Sequence, residues 1–195
     1  MTDPRPGAPS PMGRALFLLC VVAWASWPAA PACSDQPSTA LERTVKAAFL
    51  YKFGGYIDWP SSAFATPGAP FTIGVVGEDA LARDLVDVVA GRLIGSRRVV
   101  VVALNETESI EGIQMMFIGQ SAAPRIASLV RAAQERPVLI VTESKGALAE
   151  GSMINFLVSN ARVRFEISLP ATARHGLVLS SRLLAVAQSV VTRTL

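Results

Sequence analysis

Four short and almost uninterrupted apolar runs constrain the fold of this chain more than any other feature of its sequence. They are FTIGVV (71–76), RVVVVAL (98–104), IQMMFI (113–118) and PVLIVT (137–142). Runs of this length that are rich in β-branched residues are typical of strands buried on both faces. Helical patterns separate the runs, so the sequence predicts an α/β fold with a mostly parallel sheet and helices on both faces.

The first helix is predicted to begin at a cap on Ser38 or Thr39 and to end at Gly54-Gly55, where one glycine can take the left-handed conformation. Its inward positions are predicted to be Leu41, Val45, Ala48, Phe49 and Phe53, with Lys46 and Lys52 on the other side. A second helix is expected from Glu78 to Ala90, with Leu81, Leu85, Val88 and Val89 inward. A third is expected from a cap on Ser121 to about Glu135.

The C-terminal part has a different pattern. Residues 153–158 and 163–167 flank Ser159-Asn160-Ala161-Arg162, and the second run alternates apolar with charged residues. This pattern is typical of a hairpin, so a C-terminal antiparallel hairpin is predicted at the edge of the sheet. A final helix is predicted from Ser180 to about Val191.

Composition limits the number of domains and the class of partner. The chain has 195 residues, of which 51% are hydrophobic and 17% charged, which suits one domain with a substantial core. The net charge is only +3, and no run of Lys and Arg is interleaved with aromatic residues. The sequence therefore argues against a nucleic-acid partner.

The N-terminal residues are typical of an export signal. Arg5 and Arg14 precede an apolar run at 15–25, and Ala30-Pro31-Ala32 provides a small-x-small cleavage site. We therefore predict a signal peptide at 1–32, a linker at 33–40 and one α/β domain at 41–195, located in the periplasm. Cys33 follows the cleavage site, so a lipoprotein signal with an acylated Cys33 is the alternative to a free periplasmic protein.

Few residues suit catalysis or metal binding. One histidine and a domain without cysteine exclude the usual zinc ligand sets, and we predict no metal, no cofactor and no catalytic residue. The segment GVVGED (74–79) does not have the spacing of a phosphate-binding loop. Ser121 with His175 as its base is a rival hydrolase interpretation, although Ser121 as a simple helix cap is favoured.

Three groups of residues are predicted to contact a partner or a ligand. Tyr56, Asp58 and Trp59 lie in an aromatic turn after the first helix, and aromatic residues are enriched at interfaces. Arg162 and Arg164 lie on one face of the hairpin. Arg174-His175 precedes the last helix, where the pair can hold a carboxylate or a phosphate.

A longer pattern runs through the chain from Thr44 to Val190. The segments FLYKFGGYIDWP, FTIGVVGED, IQMMFIG, VLIVTES, GSMINFLVSNARVRFEIS and GLVLSSRLLAVA follow one another. This ordered set resembles the YfiR family, above all in AAFLYKF…WP, INF…RVRFEI and LSSRLL.

The resemblance implies a non-catalytic periplasmic regulator that is often dimeric. The best-understood type represses an inner-membrane diguanylate cyclase by binding its periplasmic sensor region, and an outer-membrane lipoprotein relieves the repression. A homodimer and partners of these kinds are therefore expected, with a histidine kinase as another membrane partner. That type is braced by disulfides, which this cysteine-free domain cannot form, so redox control through such a bridge is expected to be absent. The alternative function is a periplasmic sensor that binds a small anion through Arg174, His175 and Arg164.

Overall fold

The described structure, a computed structural model, comprises residues 37–105 and 109–193. Its helices are α1 Pro37–Gly55, α2 Asp79–Val89, α3 Ile126–Ala132, α4 Leu169–Arg174 and α5 Ser181–Val186. Its strands are β1 Ile57–Asp58, β2 Phe71–Val76, β3 Leu93–Ile94, β4 Arg97–Leu104, β5 Met115–Ile118, β6 Leu139–Thr142, β7 Ile154–Ser159, β8 Arg162–Ser168, β9 Val178–Leu179 and β10 Ser189–Val191. The predicted signal peptide and the first half of the predicted linker, with Cys33, lie outside the described residues.

A mostly parallel sheet of eight strands confirms the predicted α/β class. The strand order is β10-β8-β7-β6-β5-β2-β4-β3. Strands β4, β2, β5, β6 and β7 pair parallel with one another in this order, and β3 pairs antiparallel with β4. Strand β8 pairs antiparallel with β7 and parallel with β10. Strands β1 and β9 form a separate antiparallel pair.

Helices cover both faces of the sheet. On one face Phe53 of α1 stacks on Phe156 at 5.7 Å and meets Phe165 edge-on at 5.0 Å between ring centroids. Helix α2 follows α1 on this face and buries Leu81, Leu85 and Val89, as predicted. Successive side chains of β2 point to alternate faces of the sheet. Val76 points to the face away from α1 and α2, where it lines a cavity with Leu129 of α3. The buried apolar residues form one contiguous cluster between these layers.

The predicted inward face of α1 is confirmed for Phe53, which is buried, and for Phe49, which packs on the core, but it is wrong in the first half of the helix. Lys46, Ala47, Leu50 and Phe53 are buried, whereas Leu41 is 67% exposed. The helix also begins at Pro37, before the predicted caps, since proline is preorganised for the first helical position. Among the described residues, no helix has the length and apolar character needed to span a membrane.

The double glycine does not end α1 by the predicted left-handed turn. Neither Gly54 nor Gly55 has a positive φ, and both belong to the helix. Gly54 instead allows close packing, because a Cβ there would lie 2.4 Å from Ile94 Cδ1 and 3.2 Å from Phe71 Cζ, so that these side chains would have to shift. Gly55 has open space around it.

Strand β4 is not buried on both faces as its apolar run predicted. Val99 and Val101 pack on the core, but Val100 and Val102 are 41% and 37% exposed. Only the short β3 lies beyond β4, so this strand is close to the edge and only one of its faces is well covered. A run of valines does not distinguish a strand that is buried on both faces from one that is buried on a single face, because valine favours strands in both cases.

The helix predicted to run from Ser121 to about Glu135 is broken. Residues Gln120–Arg125 form a 3₁₀ helix that contains Pro124, and α3 is confined to Ile126–Ala132. Proline has no N–H to donate, which disfavours a continuous α-helix here. Ser121 is not the cap, since its hydroxyl donates to the carbonyl of Gly77.

The hairpin of β7 and β8 is confirmed, but it does not form the edge of the sheet. The predicted last helix ends at Val186, and Ser189–Val191 instead forms β10, which pairs with Glu166, Ile167 and Ser168 of β8. The β-branched Val190 and Val191 suit this strand, and its ladder satisfies backbone groups on the outer edge of β8 that a continued helix would not have reached.

Candidate functional site

A polar crevice of about 480 Å³ lies at the carboxyl ends of β2, β5 and β6. In sheets of this kind ligand crevices form at this end of the strands. Polar side chains line one part of it and apolar side chains another. The lining residues are Thr39, Glu42, Arg43, Lys46, Glu78, Leu81, Gln120, Glu143, Phe156 and Val158.

Lys46 is the centre of this crevice. Its ammonium group donates to Glu143 Oε2 at 2.6 Å and to Glu42 Oε1. Burial alone would lower the pKa of Lys46, but hydrogen bonds and charge from Glu143 and Glu42 outweigh burial, so the pKa is raised. Lys46 is therefore held as a cation, which makes it a poor nucleophile or base and a good clamp between α1 and the sheet.

Glu143 is held in place from both sides. Its Oε1 accepts the backbone N–H of Gln120 at 2.9 Å while Oε2 accepts from Lys46. Burial raises the pKa of the neighbouring Glu78, and the charge of Glu143 raises it further, although Arg43 and Lys46 act in the opposite direction. Glu78 therefore takes up a proton more readily than an ordinary glutamate does.

Buried polar groups continue from the crevice into the sheet. Thr142 Oγ1 and the backbone N–H of Ser144 both donate to Asn155 Oδ1, at 2.8 and 3.0 Å. The amide nitrogen of Asn155 donates in turn to Glu166 Oε1 at 3.0 Å. Every buried side-chain nitrogen and oxygen of the described residues has a hydrogen-bond partner, so this network fixes how β6, β7 and β8 pack.

Sequence reasoning missed Lys46, Glu42 and Glu143 as a group. Two signals for them are present in the sequence. Glu42 and Lys46 have the i, i+4 spacing that places two side chains side by side on a helix. Glu143 directly follows a buried strand, at the sheet end where crevices form.

The aromatic turn is only partly a surface. Ile57 is buried and pairs with Leu179, so this segment forms β1. Trp59 is half-buried, donates from Nε1 to the carbonyl of Gly54 at 2.9 Å and meets Phe71 edge-on at 5.0 Å. Tyr56 and Asp58 are exposed.

Tyr56 and Arg164 line the same cavity, although they are far apart in the chain. The cavity has a volume of about 370 Å³ and lies between α1, β8 and α5. Its inner wall is apolar, and three cations stand around it. The apolar and aromatic lining residues are Phe49, Phe53, Tyr56, Val163, Phe165, Leu183 and Val186, and the cations are Lys52, Arg164 and Arg182. We call it the α1–α5 cavity.

Arg174 and His175 do not line the α1–α5 cavity. Arg174 is exposed, whereas His175 is only 8% exposed and its Nδ1 lies 2.8 Å from the carbonyl oxygen of Arg136. Burial lowers the pKa of His175, the charge of Arg174 lowers it further, and the hydrogen bond to Arg136 opposes both. His175 thus holds the end of α4 against the segment after α3.

The geometry does not favour the rival hydrolase. Ser121 donates its hydroxyl proton to the carbonyl of Gly77, and Nδ1 of His175 is hydrogen-bonded to the carbonyl of Arg136. No hydrogen bond joins the two side chains, which a nucleophile and its base require. Among the described residues, no group of His, Cys, Asp and Glu is arranged to hold a metal ion.

Comparison with known proteins identifies the family to which the chain belongs. The fold and these sites define an α/β protein with a clamped polar crevice and a cationic cavity beside its C-terminal hairpin. The chain belongs to the YfiR/HmsC-like family, whose model matches residues 43–188. At the level of the family, this membership supports a regulatory, non-catalytic periplasmic protein of diguanylate cyclase signalling.

Among solved structures, the chain is similar in fold to a conserved domain protein from Vibrio cholerae O1 biovar El Tor strain N16961. The TM-score is 0.54 at 11% identity, over 76% of this chain and 60% of that one. At this identity the likeness concerns the fold alone. A comparison with curated proteins finds no match.

Proposed function

We propose that the mature chain is a periplasmic regulator that binds and represses the periplasmic sensor region of an inner-membrane diguanylate cyclase. The observation that carries the proposal is the family match, because residues 43–188 include nearly all of the described structure. A histidine kinase is the alternative membrane partner.

The proposed contact surface joins the aromatic turn to the hairpin. Tyr56 and Arg164 line the same cavity. Asp58 and Arg162 are each two residues away in the chain from one of these residues, and both are exposed. An exposed aromatic residue beside cations is the composition expected at an interface. Trp59 helps to hold the aromatic turn in place, since its ring packs on Phe71.

The test is capture of the partner from membranes of the host. The mature chain from Ser34 onward is immobilised, detergent-solubilised membranes are passed over it, and retained proteins are identified by mass spectrometry. Retention of a membrane protein with a periplasmic sensor and a cytoplasmic cyclase domain is expected. If no such protein is retained by the folded chain, the proposal fails.

Export, lipidation and oligomeric state are further parts of the proposal. We propose one domain at 41–195, export by a signal peptide at 1–32, and acylation of Cys33 as the alternative to a free N-terminus. A homodimer and an outer-membrane lipoprotein that relieves repression complete the scheme. The mass of the mature protein purified from the host distinguishes the first two forms, and light scattering measures the dimer.

The α1–α5 cavity favours a second candidate function, a sensor of a small anion. Its apolar wall and three cations suit a ligand that has an apolar body and a carboxylate or phosphate group. Such a ligand is expected to raise the melting temperature of the wild type and to lose this effect in Arg182→Ala. A ligand response that is unchanged in Arg182→Ala would place its binding elsewhere. The two functions are compatible, since a ligand here can alter partner binding.

A further inference from the structure

Strand β8 is covered on its outer edge along only half of its length. Strand β10 pairs with Glu166, Ile167 and Ser168, and the backbone N–H of Gln188 donates to the carbonyl of Phe165 at 2.8 Å. The first residues of β8 pair with β7 alone. We call Arg162–Arg164 the open edge of β8.

The open edge presents backbone groups that another strand can bond. Successive residues of a strand direct their N–H and C=O groups to opposite edges. The carbonyl of Phe165 points toward β10, so the N–H and C=O of Val163 point the same way, beyond the end of β10. Groups exposed in this way are a template for pairing with an extended chain.

The two faces beside the open edge differ in chemistry. On one face Arg162 and Arg164 stand two residues apart, beside a concavity of about 490 Å³ that Ser159, Asn160 and Gln188 complete. On the other face Val163 and Phe165 line the apolar wall of the α1–α5 cavity, and Arg164, between them in the chain, borders both the concavity and this cavity. A strand added here would place alternate side chains in a cationic site and in an apolar one.

The positive charge around the open edge indicates which kind of segment can bind there. Arg162, Arg164, Lys52 and Arg182 surround it, and none of the four forms an ion pair with another described residue. Glu166, further along the arginine face, already accepts a hydrogen bond from Asn155. A second copy of this edge would bring arginines opposite arginines, which is destabilising.

We propose that the open edge of β8 accepts an extended acidic segment of the partner protein as an added strand, with carboxylates on Arg162 and Arg164 and apolar side chains in the α1–α5 cavity. Strand addition of this kind takes affinity from main-chain bonds and specificity from the alternate side-chain sites. The inference depends on the proposed function, because it states the chemistry of the segment through which the proposed partner binds.

A synthetic peptide of alternating glutamate and valine tests the edge directly on the mature chain. The peptide is expected to bind and to slow hydrogen exchange at the Val163 amide. The double variant Arg162→Glu/Arg164→Glu is expected to weaken binding by about tenfold or more, whereas Arg83→Glu, on the exposed part of α2, leaves it unchanged. Circular dichroism verifies that each variant is folded.

Three results would overturn the inference: no binding of the alternating peptide, equal binding of a peptide with the same composition in non-alternating order, or binding without protection of Val163. Capture of membrane proteins separates this inference from the proposed function. If wild type and the arginine double variant retain the same signalling protein equally, the strand-addition site is wrong and the regulator stands. If the wild type retains none, the proposed function fails.

Discussion

At the scale of single residues, Lys46 shows how context overrides a pattern. The helical periodicity of α1 put this lysine on the solvent side, yet it is 7% exposed and bonded to two carboxylates. A buried charge is tolerated only when it is paired and hydrogen-bonded. Glu42 and Glu143 supply both conditions, and Glu143 comes from a part of the chain that no local pattern connects to α1.

Removing only one charge of the Lys46–Glu143 pair is therefore expected to destabilise the protein more than removing both. Lys46→Met should lower the free energy of unfolding by about 3 kcal/mol, because Glu143 remains buried without its counter-charge. Adding Glu143→Gln should recover more than half of that loss, since the uncompensated charge is then removed. Urea denaturation of the two variants measures both effects. No recovery in the double variant would mean that the loss comes from packing rather than charge.

Gly54 and Gly55 provide a matched pair of substitutions. Gly54→Ala should lower the free energy of unfolding by about 1–3 kcal/mol, because the new methyl group meets Ile94 and Phe71. Gly55→Ala should raise it by about 0.5 kcal/mol, because alanine restricts the unfolded chain and nothing in the helix opposes it. Thermal denaturation compares the two, and equal effects would contradict this assignment.

At the scale of elements, strands were easier to predict than helix ends. The positions of β2, β5, β6, β7 and β8 follow from runs of apolar residues, whose burial does not depend on detail. The end of α5 and the break before α3 depend on whether the backbone continues the helix or bonds to another part of the chain. Residues 189–191 became a strand because β8 had an unpaired edge, which no local pattern in those residues reveals.

The contact of α4 with the segment after α3 is expected to depend on pH. Burial lowers the pKa of His175 below the ordinary value of 6.5, so the folded state binds a proton less readily than the unfolded state. The contribution of His175 to stability is thus complete above pH 6.5 and is lost as the pH falls through the folded pKa.

The variant His175→Asn isolates this group. The amide of asparagine can still donate to the Arg136 carbonyl but does not titrate in this range. The free energy of unfolding of the wild type should fall more steeply between pH 7.5 and pH 5 than that of the variant. Parallel pH profiles would mean that His175 does not carry the dependence.

At the scale of the whole molecule, one contiguous core joins the parallel strands to the C-terminal hairpin through α1. The proposed domain at 41–195 should therefore unfold in one transition. After removal of residues 1–32, Trp59 is the single tryptophan, and it packs on Phe71 in this core. Its fluorescence and the far-ultraviolet circular dichroism should give coincident urea transitions. Two separate transitions would show that the core divides.

The sequence by itself determined the α/β class, the positions of the central strands, the hairpin and the resemblance that the family match bears out. These depend on the burial of whole apolar runs and on the order of motifs, which neighbours far along the chain do not change. The tertiary structure alone decided the buried face of α1, the ion pairs of Lys46, the exposure of β4 and the open edge of β8. Each of these depends on which elements become neighbours, and only the assembled sheet sets those distances.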